Sequence, residues 1–303
     1  MRIAISGSNG FVGQNILKHE FFKNTCTFIS IKRSHFIEKK FLFQESDFVL
    51  HFAGIAHDIK NQSNSADYYL VNTEFTKDIF DAFLLSDAKV FIFLSSVKAA
   101  ADEAPEDLTE DIIPNPITHY GKSKLLAEKY ILSKLVPHWK RIYILRPCMI
   151  HGPGNKGNLN LLYNLVSKGF PWPLGAFENK RSFCSIENLM FIIKELIVRE
   201  DIPSGVFNVA DDEPLSTNDV ISILAESQNR KSKIWKISQD LIHSISKLGD
   251  ILRLPLTTER LQKLTESYVV SNQKIKTAIG KDLPVSAKDG LLKTFISFHT
   301  SVQ

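Results

Sequence analysis

Arg2–Ser6 reads RIAIS, a short apolar run of the kind that fills a buried parallel strand. It passes at once into Gly7-Ser8-Asn9-Gly10-Phe11-Val12-Gly13 and then into NILKHEFF, which reads as helix. Glycines three apart at a strand-to-helix turn have separate physical uses. The first, Gly7, permits the tight turn; the second, Gly10, lets backbone approach a pyrophosphate; the third, Gly13, lets the helix pack on the strand. The helix N-terminus would then turn its N–H groups and positive dipole end toward the phosphates. A glycine pattern alone would also fit a plain flexible turn, but its place directly after the first strand favours dinucleotide binding.

The rest of the chain has room for the sheet this implies. With 303 residues, 44% hydrophobic and 23% charged, it can bury a large core as one large domain or two small ones. The net charge of +4 is spread without a long basic block, so nucleic acid is not indicated and a basic rim for an anionic substrate is allowed. Cys26, Cys148 and Cys184 show no metal-ligand spacing and read as free thiols of a reducing cytosol. No apolar run approaches the roughly eighteen residues of a membrane span, and MRIAISGSNG holds no signal core, so a cytoplasmic protein is expected.

The second strand, TFISI (Thr27–Ile31), ends in Lys32-Arg33. An acidic residue at this place would accept the ribose 2′-hydroxyl of NAD, whereas a basic one suits the 2′-phosphate of NADP. The expectation is therefore NADP(H) over NAD(H). DFVLHFAG (47–54) is a further strand whose small Ala53 and Gly54 would let a cofactor lie against the backbone. A helix over 69–85 and a strand KVFIFLSS (89–96) follow. This alternation predicts an α/β fold, a Rossmann-type doubly wound parallel sheet with Ser95-Ser96 at its carboxyl edge.

HYGKSK (119–124) invites two readings. As the tail of a P-loop it fails, because the glycine required five residues before Gly121 is Pro116. As a proton-transfer couple it works: Tyr120 and Lys124, four apart, share a helix face. The ammonium can lower the phenol's pKa and bind a ribose while the phenol exchanges a proton with an alcohol or carbonyl. Spacing alone carries little, since Tyr130 and Lys134 repeat it.

GSNGFVG, HFAG, LSSVKA, YGKSK, RPCMIHGPG with GNLNLL, NKRSFCSIENL and GVFNVADDEPLST together resemble the extended short-chain dehydrogenase/reductase family of nucleotide-sugar epimerases, dehydratases and reductases. The resemblance covers most of the chain in the family's order. It implies catalysis by Tyr120 as acid/base, Lys124 as its tuner and ribose ligand, and Ser96 as hydrogen-bond partner of the reacting oxygen. It also implies that Gly7, Gly10 and Gly13 line the pyrophosphate, that Ala53, Gly54 and Pro147 touch the cofactor, and that Asn158 and Arg181 hold the substrate diphosphate. A homodimer built on the helices around 72–85 and Tyr120 is implied as well.

Three departures stand out. The chain between the second strand and Asp47 is short, as though a strand and helix were reduced, and the acidic contact near adenine has no match. Val97-Lys98 follows Ser96 where 4,6-dehydratases carry an acidic pair, which argues against dehydration. Met149 stands where many epimerases have an asparagine. The resemblance is greatest to enzymes of bacterial surface polysaccharides. Combined with the basic end of the second strand, it points to a 4-keto reductase of a UDP-4-keto-6-deoxy-N-acetylhexosamine. The alternatives are a 4-epimerase holding NAD and a non-catalytic dinucleotide-binding protein, the latter disfavoured by the complete Ser96, Tyr120, Lys124 set.

After residue 150 glycine and proline punctuate shorter segments. The expectation is a cofactor domain over 1–150, joined by a strand at 205–210, and a smaller substrate-binding lobe over 151–303. Ser216 or Thr217 would cap the helix NDVISILAE, and two helices would close the tail. His151 and the pair His57-Asp58 lack companions at ligand spacing, so no metal site is expected.

Overall fold

The computed structural model describes residues 1–32, 34, 43, 45–55, 64–104, 107–155, 157–252 and 256–300. Its centre is a sheet in which every pairing is parallel. In chain order the elements begin β1 (Arg2–Ser6), α1 (Phe11–Lys18), α2 (Glu20–Thr25), β2 (Thr27–Ile31) and β3 (Phe48–His51). A helical run, α3, follows, formed by Ser65–Tyr68, a π-helical stretch Tyr69–Glu74 and Phe75–Leu84. Then come β4 (Val90–Leu94), the 3-10 turn Val97–Ala99, α4 (His119–Leu132) and β5 (Arg141–Pro147). Beyond β5 lie β6 (Met149–His151), α5 (Asn158–Ser167), β7 (Phe183–Ser185), α6 (Ile186–Val198) and β8 (Gly205–Val209).

The strand order is β2-β1-β3-β4-β5-β8, so the chain leaves β1 toward one edge and later crosses to its other side at β3. That reversal opens a crevice at the carboxyl ends of β1 and β3, where ligands of such sheets bind. Among the described residues β2 is the outer strand on this side, and most of 33–44, where the sequence is short, lies outside them.

Period-two alternation within nearly continuous apolar strands gives the sheet two buried faces. Ile3, Ile5, Leu50, Ile92 and Leu145 pack toward Leu189, Ile193 and Leu196 of α6. Their neighbours Ala4, Val49, Phe91, Phe93 and Ile144 pack toward Ile79, Phe80 and Phe83 of α3 and Ile131 of α4. Each large side chain so buried contributes about 1.5–3 kcal/mol, and a one-residue register slip would exchange the two faces wholesale.

The remaining chain builds a lobe from α7 (Thr217–Ser227), α8 (Gln239–Leu252), α9 (Thr258–Thr265), α10 (Gln273–Ile279) and α11 (Ala287–Thr300). β6 and β7 pair there as a separate parallel ladder. Ser216 caps α7 in a reciprocal capping box with Asp219. Leu159, Leu224, Leu291 and Phe295 form one small core of the lobe. Trp172, Leu174, Ile221, Ile242 and Leu261 form another. No helix among the described residues is long and apolar enough to cross a membrane.

Candidate active site

At the β1–α1 turn, Gly7 has φ +75°, and a Cβ there would lie 2.5 Å from the Ala53 nitrogen. The turn is thus pressed against the backbone that leaves β3. A Cβ on Gly13 would fall 2.2 Å from the Gly7 carbonyl oxygen, so helix and turn also touch through backbone alone. Gly10 differs, because a Cβ there meets only that carbonyl oxygen, at 3.2 Å. The protein therefore crowds position 10 less than 7 or 13, which leaves that side of the turn open to a close ligand. The N-terminus of α1 has no side-chain cap and no acidic residue in its first turn, which leaves its N–H groups to an anion.

A hydrogen-bonded chain fixes the strand ends beneath this turn. The Ala53 N–H donates to Ser6 Oγ at 3.2 Å, and Ser6 Oγ lies 2.6 Å from His51 Nδ1. His51 Nε2 lies 2.8 Å from Thr76 Oγ1, which itself donates to the Asn72 carbonyl. With the Thr76 proton committed, His51 must donate through Nε2 and accept at Nδ1 from Ser6. Burial, and next the charge of Lys124, lower the His51 pKa to about 3, so the ring is a neutral strut.

Asn72, inside the π-helical stretch of α3, extends the bracing. Its side chain accepts from the Ile55 N–H at 2.8 Å and donates to the Ile55 carbonyl at 3.1 Å and to Ser123 Oγ at 3.0 Å. The loop after β3 is thereby clamped to α4 beside Lys124. Sequence reading missed His51, Asn72 and Ser123; polar Asn72-Thr73 within an otherwise apolar helical pattern was the available signal.

Thr118 caps α4, accepting from the Gly121 N–H at 3.1 Å, and is itself held by the Asp102 carboxylate. A Cβ on Gly121 would sit 2.4 Å from the Lys98 carbonyl oxygen, so glycine lets α4 close onto the 3-10 turn that follows Ser96. That approach brings the half-buried Tyr120 into a hydrogen bond with Ser96. Burial raises the phenol above its usual range, the Ser96 bond opposes this, and Tyr68 adds to it.

Lys124 is buried, donates to the Leu94 carbonyl at 2.9 Å and lies over the Phe93 ring. Burial lowers its pKa to about 8 against the opposing pull of Glu128. A Cβ on Gly54 would come within 3.0 Å of this ammonium, so Gly54 and Lys124 border one space. One turn further along α4, Glu128 forms a buried forked ion pair with Arg146, with Arg146 Nε 3.0 and 3.2 Å from its two oxygens. Ser95 donates to the same carboxylate. Pro147 ends β5 in register with Val209 and is buried.

Elsewhere the sequence-derived site is looser. Arg181 is engaged by the Lys263 carbonyl and the Glu266 carboxylate, both at 2.9 Å, rather than reaching Tyr120. Lys98, passed over as a missing acid, lies within electrostatic range of Arg181 and Glu266, with Nζ 4.2 Å from the Tyr268 ring centre. Asn158 begins α5, but its side chain lies outside the described residues, as do Arg33 and His57-Asp58. Lys32 is exposed at the end of β2. His151 is buried between Thr294 and Asp211, and no group of three or more metal-ligating residues gathers among the described residues.

Comparison with known proteins agrees with this geometry. A profile of the NAD dependent epimerase/dehydratase family matches residues 3–210. The chain is 30% identical over 319 residues to the UDP-glucose 4-epimerase of Vibrio cholerae, spanning 98% of this chain and 95% of that one. It is 26% identical over 290 residues to the N-acetyl-alpha-D-glucosaminyl-diphospho-ditrans,octacis-undecaprenol 4-epimerase of Escherichia coli O157:H7, spanning 90% and 84%. In fold it resembles MoeE5 in complex with UDP-glucose and NAD, at TM-score 0.76, 17% identity and full coverage of both chains. These findings correct the expectation of NADP(H): the matched family uses NAD, and the similar structure holds NAD. Physically, a cation at a strand end describes a charge, and charge alone does not distinguish a 2′-phosphate site from a surface position.

Proposed function

This chain belongs to the NAD dependent epimerase/dehydratase family, and from that membership we propose that it is a 4-epimerase of diphosphate-linked sugars, with UDP-hexoses or UDP-N-acetylhexosamines as substrates. It is an NAD-dependent enzyme of the nucleotide-sugar epimerase/dehydratase type, and the proposal concerns the finer reaction. The observation that carries it is the Ser96–Tyr120 hydrogen bond at the sheet edge, beside buried Lys124, whose ammonium borders Gly54. Support for a 4-keto reductase rested on NADP(H) and falls with it, whereas the similarity to a UDP-glucose 4-epimerase along nearly the whole chain supports epimerisation.

The residues suit NAD. Gly10 leaves its turn open, the uncapped α1 can receive the pyrophosphate, and Gly54 with Lys124 can receive the nicotinamide ribose. Ala53 and Pro147 would border the cofactor, and Gly7 and Gly13 hold the turn's shape. NAD held there would supply the hydride chemistry, acceptance from sugar C4 and return to it. Tyr120 accepts the C4 hydroxyl proton through the oxygen that Ser96 now engages, then gives it back after the sugar has presented its other face. Lys124, as a cation, stabilises the tyrosinate that Tyr120 must become. Arg181 and Asn158 would hold the diphosphate once Arg181 exchanges Glu266 for it.

We assign cofactor binding to residues 1–150 with β8, and the substrate lobe to most of 151–303. A homodimer through α3 and α4 is supported by their exposed Leu70 and Leu126. The test of function supplies purified protein with UDP-glucose or UDP-N-acetylglucosamine and no added nicotinamide, and follows the sugar by proton NMR. Appearance of the C4 epimer supports the reading, and an unchanged sugar with both overturns it.

A further inference from the structure

We propose that α8, with the basic segment leading into it, is a docking element that seats this protein on the surface of an anionic lipid bilayer. The proposal is independent of the reaction assigned above.

In α8 the residues Leu241, Ile245, Leu248 and Leu252 recur at spacings of four, three and four, so they form one stripe along the helix. Their exposures are 54%, 39%, 49% and 58%, and Ile251 beside them reaches 77%. The helix grips the lobe through an adjoining face, Ile242, Ser246 and Gly249, where two of the three residues are small. The long aliphatic side chains are therefore the ones left outside. A contiguous exposed patch of this kind marks a docking surface.

The segment before the helix shows which partner fits. Residues 227–239, SQNRKSKIWKISQ, contain Arg230, Lys231, Lys233 and Lys236 and no acid. The segment is rigidly placed. Trp172 N–H donates to the Lys233 carbonyl at 2.7 Å, Trp235 N–H to the Trp172 carbonyl at 2.8 Å, and Gln239 Nε2 to the Ala176 carbonyl at 2.8 Å. Ile234 and Ile237 turn into the lobe, while Lys233, Trp235 and Lys236 stay exposed. Phe170, two residues before Trp172, is exposed as well. α8 itself carries two acids and Lys247: Asp240 is exposed in its first turn, and Asp250 is occupied capping Thr258 at the start of α9, so the four cations of the preceding segment outweigh the one acid left to solvent.

Leucine and isoleucine in a stripe, an exposed tryptophan and a cluster of lysines together match a helix lying in a headgroup region. A protein partner fits less well, because lysine is depleted at protein interfaces. A twofold contact between copies would also set one basic segment near another. Anionic headgroups answer the charge and acyl chains the stripe. α9, against which α8 packs, and the residue that follows it also hold Arg181, through the Lys263 carbonyl and the Glu266 carboxylate, so the seat adjoins the lobe side of the cleft.

The test is cosedimentation of the full chain with vesicles of phosphatidylcholine alone or mixed with phosphatidylglycerol. The protein should pellet with the mixed vesicles and be released by salt. Leu241→Ser with Leu248→Ser should cut binding at least about ten-fold. Lys233→Glu and Lys236→Glu should each cut it about five-fold. All variants should retain near-ultraviolet circular dichroism and turnover of water-soluble UDP-sugars. Loss of turnover in wild type with vesicle binding intact would overturn the epimerase alone. Wild-type protein left in the supernatant with both vesicles overturns the docking proposal. So does a Leu241→Ser/Leu248→Ser variant that pellets like wild type, or one whose only change is a smaller oligomeric mass.

Discussion

Gly121 shows how one residue can set the chemistry of two others. A Cβ there would lie 2.4 Å from the Lys98 carbonyl oxygen, so its absence lets α4 close onto that carbonyl, and this closeness delivers Tyr120 to Ser96. Gly121→Ala must push the helix outward, with an expected drop in kcat of ten-fold or more at little change in KM. Full activity in that variant would separate the helix position from catalysis. Lys124 adds a pH signature. Its pKa, lowered to about 8 by burial, means that the supporting charge is lost as pH rises through 8. The pH profile of kcat/KM should therefore fall above pH 8, and Lys124→Met should lower the rate and remove that limb. The nearness of Tyr120, Lys124 and Ser96 was legible in the sequence because the helix start and the strand end that carry them are local patterns set in the family's order. The reason for glycine at 121, a contact with a carbonyl twenty-three residues earlier, was not.

Among elements, the strands were the most legible, because burial on both faces writes long apolar runs such as VFIFL directly into the chain. The bracing between them was hidden, since His51, Thr76 and Asn72 meet only after β1, β3 and α3 have packed. His51 makes that bracing measurable. Its folded pKa of about 3 lies below the unfolded value of 6.5, so its contribution is complete above pH 6.5 and is lost as pH falls toward 3. Between pH 7 and pH 5 urea unfolding should report a loss of about 2 kcal/mol from this group. His51→Gln should flatten that dependence, and an unchanged slope would show that the ring is not neutral in the fold. α8 and α9 escaped sequence reading altogether, because the stripe of α8 points outward and follows no buried pattern.

At the scale of the whole molecule, the doubly wound sheet followed from alternation of strands and helices, and its switch point between β1 and β3 fell where the glycine turn had placed the cofactor. The cofactor's identity did not follow, because Lys32-Arg33 describes a charge and not the donors that would surround a 2′-phosphate. The exposed leucines of α3 and α4 are the surface proposed for dimerisation. Leu126→Glu should yield a monomer by sedimentation, whereas an unchanged mass would move the interface elsewhere. The most direct test of the 4-epimerase assignment uses UDP-glucose deuterated at C4, without added nicotinamide, and follows the label by mass spectrometry and NMR. The account predicts an epimer that keeps its deuterium at C4, and no product from Tyr120→Phe. An epimer with solvent hydrogen at C4, or full turnover by Tyr120→Phe, would contradict it.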